Sequence, residues 1–124
     1  MHALIVDDDG FIREVARLSL EVLGGWAVSV AECGADGIDQ ARALVPDVIL
    51  LDVMMPGIDG VETMRSLSGD PTTRNIPVIF LTAKIQPCEK HRLDEAGARG
   101  LITKPFDPLS LAHEVEVILG TAPR

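Results

Sequence analysis

Five short apolar runs punctuate the chain, at Ala3 to Val6, Ala27 to Ala31, Val48 to Leu51, Val78 to Leu81 and Gly100 to Thr103. Those at 3, 48 and 78 are continuous rather than alternating, the pattern of strands buried on both faces. Segments with helical spacing separate them. Phe11, Val15 and Val22 mark the first, with Ile12, Ala16 and Leu23; Ile38, Ala41 and Val45 mark the second. Val61, Met64 and Leu67 mark the third, and Leu111, Ala112, Val115, Ile118 and Leu119 the last. Between Pro87 and Ala96 only Leu93 and Ala96 keep such a face, which predicts the least firmly docked helix.

Strands alternating with helices predict an α/β domain with a doubly wound, five-stranded parallel sheet, because each right-handed crossover returns the chain in the same direction. Local signals agree. Asp9 suits the cap of the first helix, Asp59 with Glu62 three residues on forms a capping box, and Asp107 caps a last helix with Pro108 in its first turn. With no repeat or linker, residues 1–124 read as one domain, and 121–124 as a short tail.

A chain of 124 residues can bury about two thirds of the surface it exposes when unfolded, enough for one core. No apolar run approaches the roughly 18 residues of a membrane span, so no membrane insertion is expected. Acids follow the apolar start where a signal peptide would need small residues, which points to the cytoplasm. Cys33 and Cys88 lack metal-ligand spacing and read as reduced, structural residues. His2, His91 and His113 lack acidic or metal-like neighbours in sequence and read as surface positions. The net charge of -8 argues against direct nucleic-acid binding and favours a site for a cation.

In a parallel sheet the carboxyl ends of the strands line one crevice, where such folds bind ligands. The first strand ends in Asp7 and Asp8, the third in Asp52, the fourth in Thr82 and the fifth in Lys104. The wide gap from Asp7 to Asp52 leaves room for two crossovers, and each later gap for one. The second strand runs out into Glu32 and Cys33, consistent with a place away from the crevice. Carboxylates gathered there repel one another unless a cation is present. Magnesium accepts such oxygen ligands together with water and a phosphate oxygen, and manganese is the alternative ion. Lys104 and Thr82 suit a phosphoryl group, and Asp52 could be a carboxylate nucleophile. Singly, each has an ordinary role as cap, turn residue or strand end; their arrival at one edge selects the chemical reading.

The segments "LIVDDDG" at Leu4, "DVMMPGIDG" from Asp52, "FLTA" ending at Ala83 and "TKPFDP" from Thr103 resemble the receiver domains of two-component response regulators, over essentially the whole chain. The resemblance implies the flavodoxin-like strand order 2-1-3-4-5, for which a chemotaxis receiver is a known example. It implies that Asp52 is the phosphoacceptor and that magnesium is held by Asp8 directly, Asp7 largely through water, Asp52, and the backbone carbonyl of Met54. Thr82 matches the switch hydroxyl and Lys104 the lysine that pairs with the phosphoryl group, with the Lys104 to Pro105 bond cis. The phosphodonor would be a histidine kinase or a histidine phosphotransfer protein, and the domain a signalling phosphoacceptor rather than a turnover enzyme. Leu101 stands where an aromatic switch residue is usual, so the output surface, expected around the last two helices and the strand between them, would respond by helix repositioning or be read differently by its output partner.

Three alternatives use the same residues. A haloacid-dehalogenase-like phosphohydrolase would make Asp7 the nucleophile and Asp9 the general acid, but Phe11 stands where its motif needs threonine or valine. A non-phosphorylated receiver-like scaffold would be expected to lack at least one of Asp7, Asp8, Asp52, Thr82 and Lys104. A flavin protein would need a phosphate loop where this chain has three acids.

Overall fold

A computed structural model describes residues 1–83 and 87–121. The chain order is β1 (His2–Val6), α1 (Gly10–Val22), β2 (Ala27–Ala31), α2 (Gly34–Leu44), β3 (Val48–Asp52), α3 (Gly60–Ser68), β4 (Val78–Thr82), α4 (Pro87–Glu95), β5 (Gly100–Thr103) and α5 (Leu111–Leu119). Every strand pairing is parallel, in the order β2-β1-β3-β4-β5. The expected fold class and strand order are therefore observed.

The continuous apolar runs are explained by two cores, one on each face of the sheet. Leu4, Val6, Ile49, Leu51, Val78 and Phe80 face Ala41 of α2, Val61, Met64 and Leu67 of α3, and Leu93 of α4. The alternate residues Ala3, Ile5, Val48, Leu50, Ile79 and Leu81 pack with Ala16 and Leu20 of α1 and Leu111, Ala112 and Val115 of α5. The central strands β3 and β4 are buried throughout.

Several helical details differ from the sequence expectation. In α1 the buried positions are Ala16, Ser19 and Leu20, whereas Phe11 is 75% exposed and Val22 and Leu23 are also exposed. The polar Ser19 is accommodated because its hydroxyl donates to the carbonyl of Pro108. Val45 lies off the buried face of α2: it is the helix C-cap, with φ 43°, and is exposed. Space for α2 against the sheet comes instead from Gly37, where an added Cβ would lie 2.8 Å from the Val6 side chain.

The caps are mostly as expected. Asp9 accepts from the amides of Phe11 and Ile12, and Asp59 from that of Glu62. Asp107 caps an earlier turn rather than α5 itself: its carboxylate accepts from the Leu109 amide and the Ser110 hydroxyl, and regular helix starts only at Leu111. Cys33 is exposed at the N-cap position of α2, while the Cys88 side chain and tail residues 122–124 lie outside the described residues. His2 and His91 are less isolated than their sequence neighbours suggest. The His2 ring meets the Ser29 hydroxyl at 2.8 Å, and His91 pairs with Glu95 one helical turn on at 2.9 Å.

Candidate functional site

The strand ends bring one carboxylate oxygen from each of Asp7, Asp8 and Asp52 within 4.8 Å of one another. β1 and β3 are direct neighbours, so Asp7 and Asp52 emerge side by side from the middle of the sheet. Asp7 is fully buried and Asp52 nearly so, whereas Asp8 faces solvent. Both Asp7 oxygens are engaged: Oδ1 accepts from the Asp9 amide at 2.9 Å and Oδ2 from Lys104 Nζ at 2.6 Å.

Lys104 reaches this point from just beyond β5. Its ammonium also lies 3.3 Å from Asp52 Oδ1. Its backbone amide donates to the carbonyl of Thr82 at 2.8 Å, and the Lys104–Pro105 bond is cis. Thr82 is buried at the end of β4, one residue past the Leu81 that pairs with Asp52. The Met54 amide donates to Asp52 Oδ1 at 3.3 Å, while the Met54 side chain is 74% exposed. The position therefore makes its contact with the site through backbone, which leaves its side chain unconstrained.

Burial pushes the Asp52 carboxyl up to about 6; the Asp7 charge adds to the rise, and Lys104 and the Met54 amide oppose it. At Lys104 burial disfavours the ammonium, but the hydrogen bond and charge of Asp7, with those of Asp52, outweigh it and hold the pKa above its ordinary value. One part-buried ammonium thus balances part of a three-carboxylate cluster. An all-oxygen donor set with surplus negative charge, one member open to solvent, fits a hard divalent cation.

The sequence expectation missed Arg13. Its Nη1 donates to the backbone carbonyl of Asp7 at 2.7 Å, and its Nη2 lies 3.5 Å from Glu32. The only signal was a lone cation shortly after an acid triplet, and a partner that is a carbonyl leaves no trace in side-chain patterns.

Comparison with known proteins places this edge in context. The chain matches the response regulator receiver domain family over residues 3–116. It belongs to that family. The receiver domain is 41% identical over 118 residues to the transcriptional regulatory protein CseB of Streptomyces coelicolor, covering 95% of this chain and 49% of CseB. It is 40% identical to the protein PilH of Pseudomonas aeruginosa, covering 94% of this chain and 95% of PilH. The chain spans about half the length of CseB and of the phosphate regulon regulatory protein PhoB of Pseudomonas aeruginosa. Among solved structures it resembles the chemotaxis protein CheY4 of Vibrio cholerae, with a TM-score of 0.89, 29% identity, and 94% and 97% of the two chains covered.

Membership of the receiver family disfavours the phosphohydrolase alternative. Leu101 of the receiver is partly buried against the α2 and α3 side of the sheet. A groove of about 250 Å³ lies beside it, lined by His113, Val117 and Ile118 of α5. Among the described residues no helix is long and apolar enough to cross a membrane.

Proposed function

We propose that this receiver domain, residues 1–124 acting as one unit, takes a phosphoryl group onto Asp52 from the phosphohistidine of a histidine kinase or histidine phosphotransfer protein. The observation that carries this reading is the placement of Lys104 between Asp7 and Asp52, at 2.6 and 3.3 Å. A cation there neutralises charge at the point where a nucleophilic carboxylate and a phosphoryl oxygen must meet. Asp52 is ionised at neutral pH, since its pKa of about 6 lies below that value.

Asp52 attacks phosphorus in line, the P–N bond breaks, and its electron pair leaves with the imidazole of the donor. Lys104 Nζ is already within reach of the Asp52 carboxylate and shifts to a transferred phosphoryl oxygen. The Thr82 hydroxyl, on the adjacent strand, follows the same group. Asp7, Asp8, Asp52 and the Met54 carbonyl would hold magnesium, or manganese; when bound, the ion neutralises charge on the transferring oxygens. Reversal of the signal uses water as the acceptor: its attack on phosphorus breaks the acyl O–P bond, releases inorganic phosphate and restores the Asp52 carboxylate. The domain therefore serves signalling rather than turnover of an external substrate, in the cytoplasm, with an output partner read through the α4, β5 and α5 region around Leu101.

Intact mass after incubation with magnesium and acetyl phosphate tests the reading. One added phosphoryl group is expected, lost in Asp52→Ala and in the absence of magnesium. A protein that takes no adduct and binds no beryllofluoride would instead be a non-phosphorylated scaffold.

A further inference from the structure

The turn that delivers Asp7, Asp8 and Asp9 lies beyond the last registered pairs of β1, which end at Val6 on both sides. Asp7 is nevertheless fully buried, so its carbonyl cannot turn to water, and a buried carbonyl without a donor is costly. Its amide donates to the carbonyl of Ala31 at 3.1 Å, continuing the sheet toward β2. Its carbonyl is taken by Arg13 at 2.7 Å, from α1, and the other arm of the same guanidinium lies 3.5 Å from Glu32, just past β2. The Arg13 side chain is only 17% exposed, and Gly10 leaves room for it: an added Cβ there would lie 3.3 Å from Nη2.

We propose that Arg13 is a positioning residue for the metal site. The planar fork ties the end of β1 to α1 and to the chain beyond β2. It thereby sets the direction in which the Asp7 and Asp8 carboxylates leave the sheet. Magnesium demands near-ideal octahedral geometry, so small shifts of its carboxylates matter. Groups behind a metal's ligands commonly change its affinity by about 10- to 100-fold when removed.

This inference rests on the proposed metal site, and its sign separates it from a bystander role. A cation beside three carboxylates repels magnesium, so a purely electrostatic Arg13 would, on removal, make binding tighter. A positioning Arg13 would, on removal, make binding weaker.

The experiment is magnesium titration by calorimetry on the wild type, Arg13→Met, Arg13→Lys and Asp8→Ala, with thermal unfolding in EDTA recorded on the same samples. Arg13→Met is expected to weaken magnesium about tenfold and Arg13→Lys less, because a lone ammonium keeps the charge but not the two-armed reach. Arg13→Met binding magnesium as the wild type does, or more tightly, would overturn the proposal, whatever its melting temperature. If Arg13→Met does not unfold cooperatively, the same criterion applies to Arg13→Lys. Magnesium binding that survives in Asp8→Ala would instead overturn the metal site itself; binding lost there but unchanged in the Arg13 variants overturns only the role of Arg13.

Discussion

Lys104 Nζ donates to Asp7 Oδ2 at 2.6 Å, and with Asp7 fully buried the contact makes the ammonium its countercharge in the metal-free protein. Removing the part-buried Lys104 leaves the charge of the buried Asp7 uncompensated. Lys104→Met is expected to lower metal-free stability by about 3 kcal/mol, measured by urea denaturation in EDTA. Saturating magnesium should restore part of that loss, because an ion that binds the folded site at a hundred times its Kd adds about 2.7 kcal/mol. The increment should be absent in Asp8→Ala.

The Asp52 carboxyl gives the metal-free protein a pH dependence of definite sign. Its folded pKa is about 6 against an ordinary 3.8, so across that window the folded protein keeps a proton that the unfolded chain has released. Stability therefore falls as pH rises from about 4 to 6, with a slope of at most about 1.4 kcal/mol per pH unit. Lys104 does not contribute in this window, since a raised lysine pKa loses its stabilisation only in strong alkali. The lowered carboxyls of Glu14 and Asp70 act in the opposite direction at the acid end of this range and are common to both proteins, so the wild-type urea midpoint in EDTA relative to that of Asp52→Asn should fall from about pH 4 to 7.5. A relative midpoint that rises would refute the electrostatic account of the site.

What the sequence makes legible follows from where constraints are shared. A strand buried on both faces must be apolar at every position, so β1, β3 and β4 announce themselves, and the polar residues that end them mark the site. Helix α1 is harder because two stripes compete: Phe11, Val15 and Val22 lie on a different face from the buried Ala16, Ser19 and Leu20. The stripe that loses is the more apolar one, since Ser19 is satisfied by a carbonyl far along the chain. Arg13 is hidden for the same reason, its partner being backbone.

Val45 ends α2 in the left-handed region, with φ 43° and ψ 65°, a conformation that crowds a β-branched side chain. Its amide still closes the helix onto Ala41 at 2.9 Å, and Pro46 then prevents continuation. The side chain is 52% exposed, so little packing is lost with it. Val45→Gly is expected to stabilise the domain by about 1 kcal/mol, raising the melting temperature by a few degrees. Destabilisation would mean that the exposed valine contributes more through packing than its backbone costs.

Among its described side chains, helix α4 has one firm anchor. Among its described side chains Leu93 alone is fully buried, entering the core on the α2 and α3 side with Ala96 partly covered beyond it. The other anchor is an exposed pair, Arg92 with Asp59 at 3.4 Å, the kind that adds little stability in water. Leu93→Ala should therefore cost about 3 kcal/mol and raise amide exchange over Arg92 to Ala96 more than elsewhere. Arg92→Ala should change both by much less. If Leu93→Ala accelerated exchange uniformly over the whole domain, α4 would be part of the cooperative core. It could not then open independently of the sheet. A local effect would mean that α4 opens while the rest of the domain stays folded, as expected of a helix with a single fully buried residue among its described side chains.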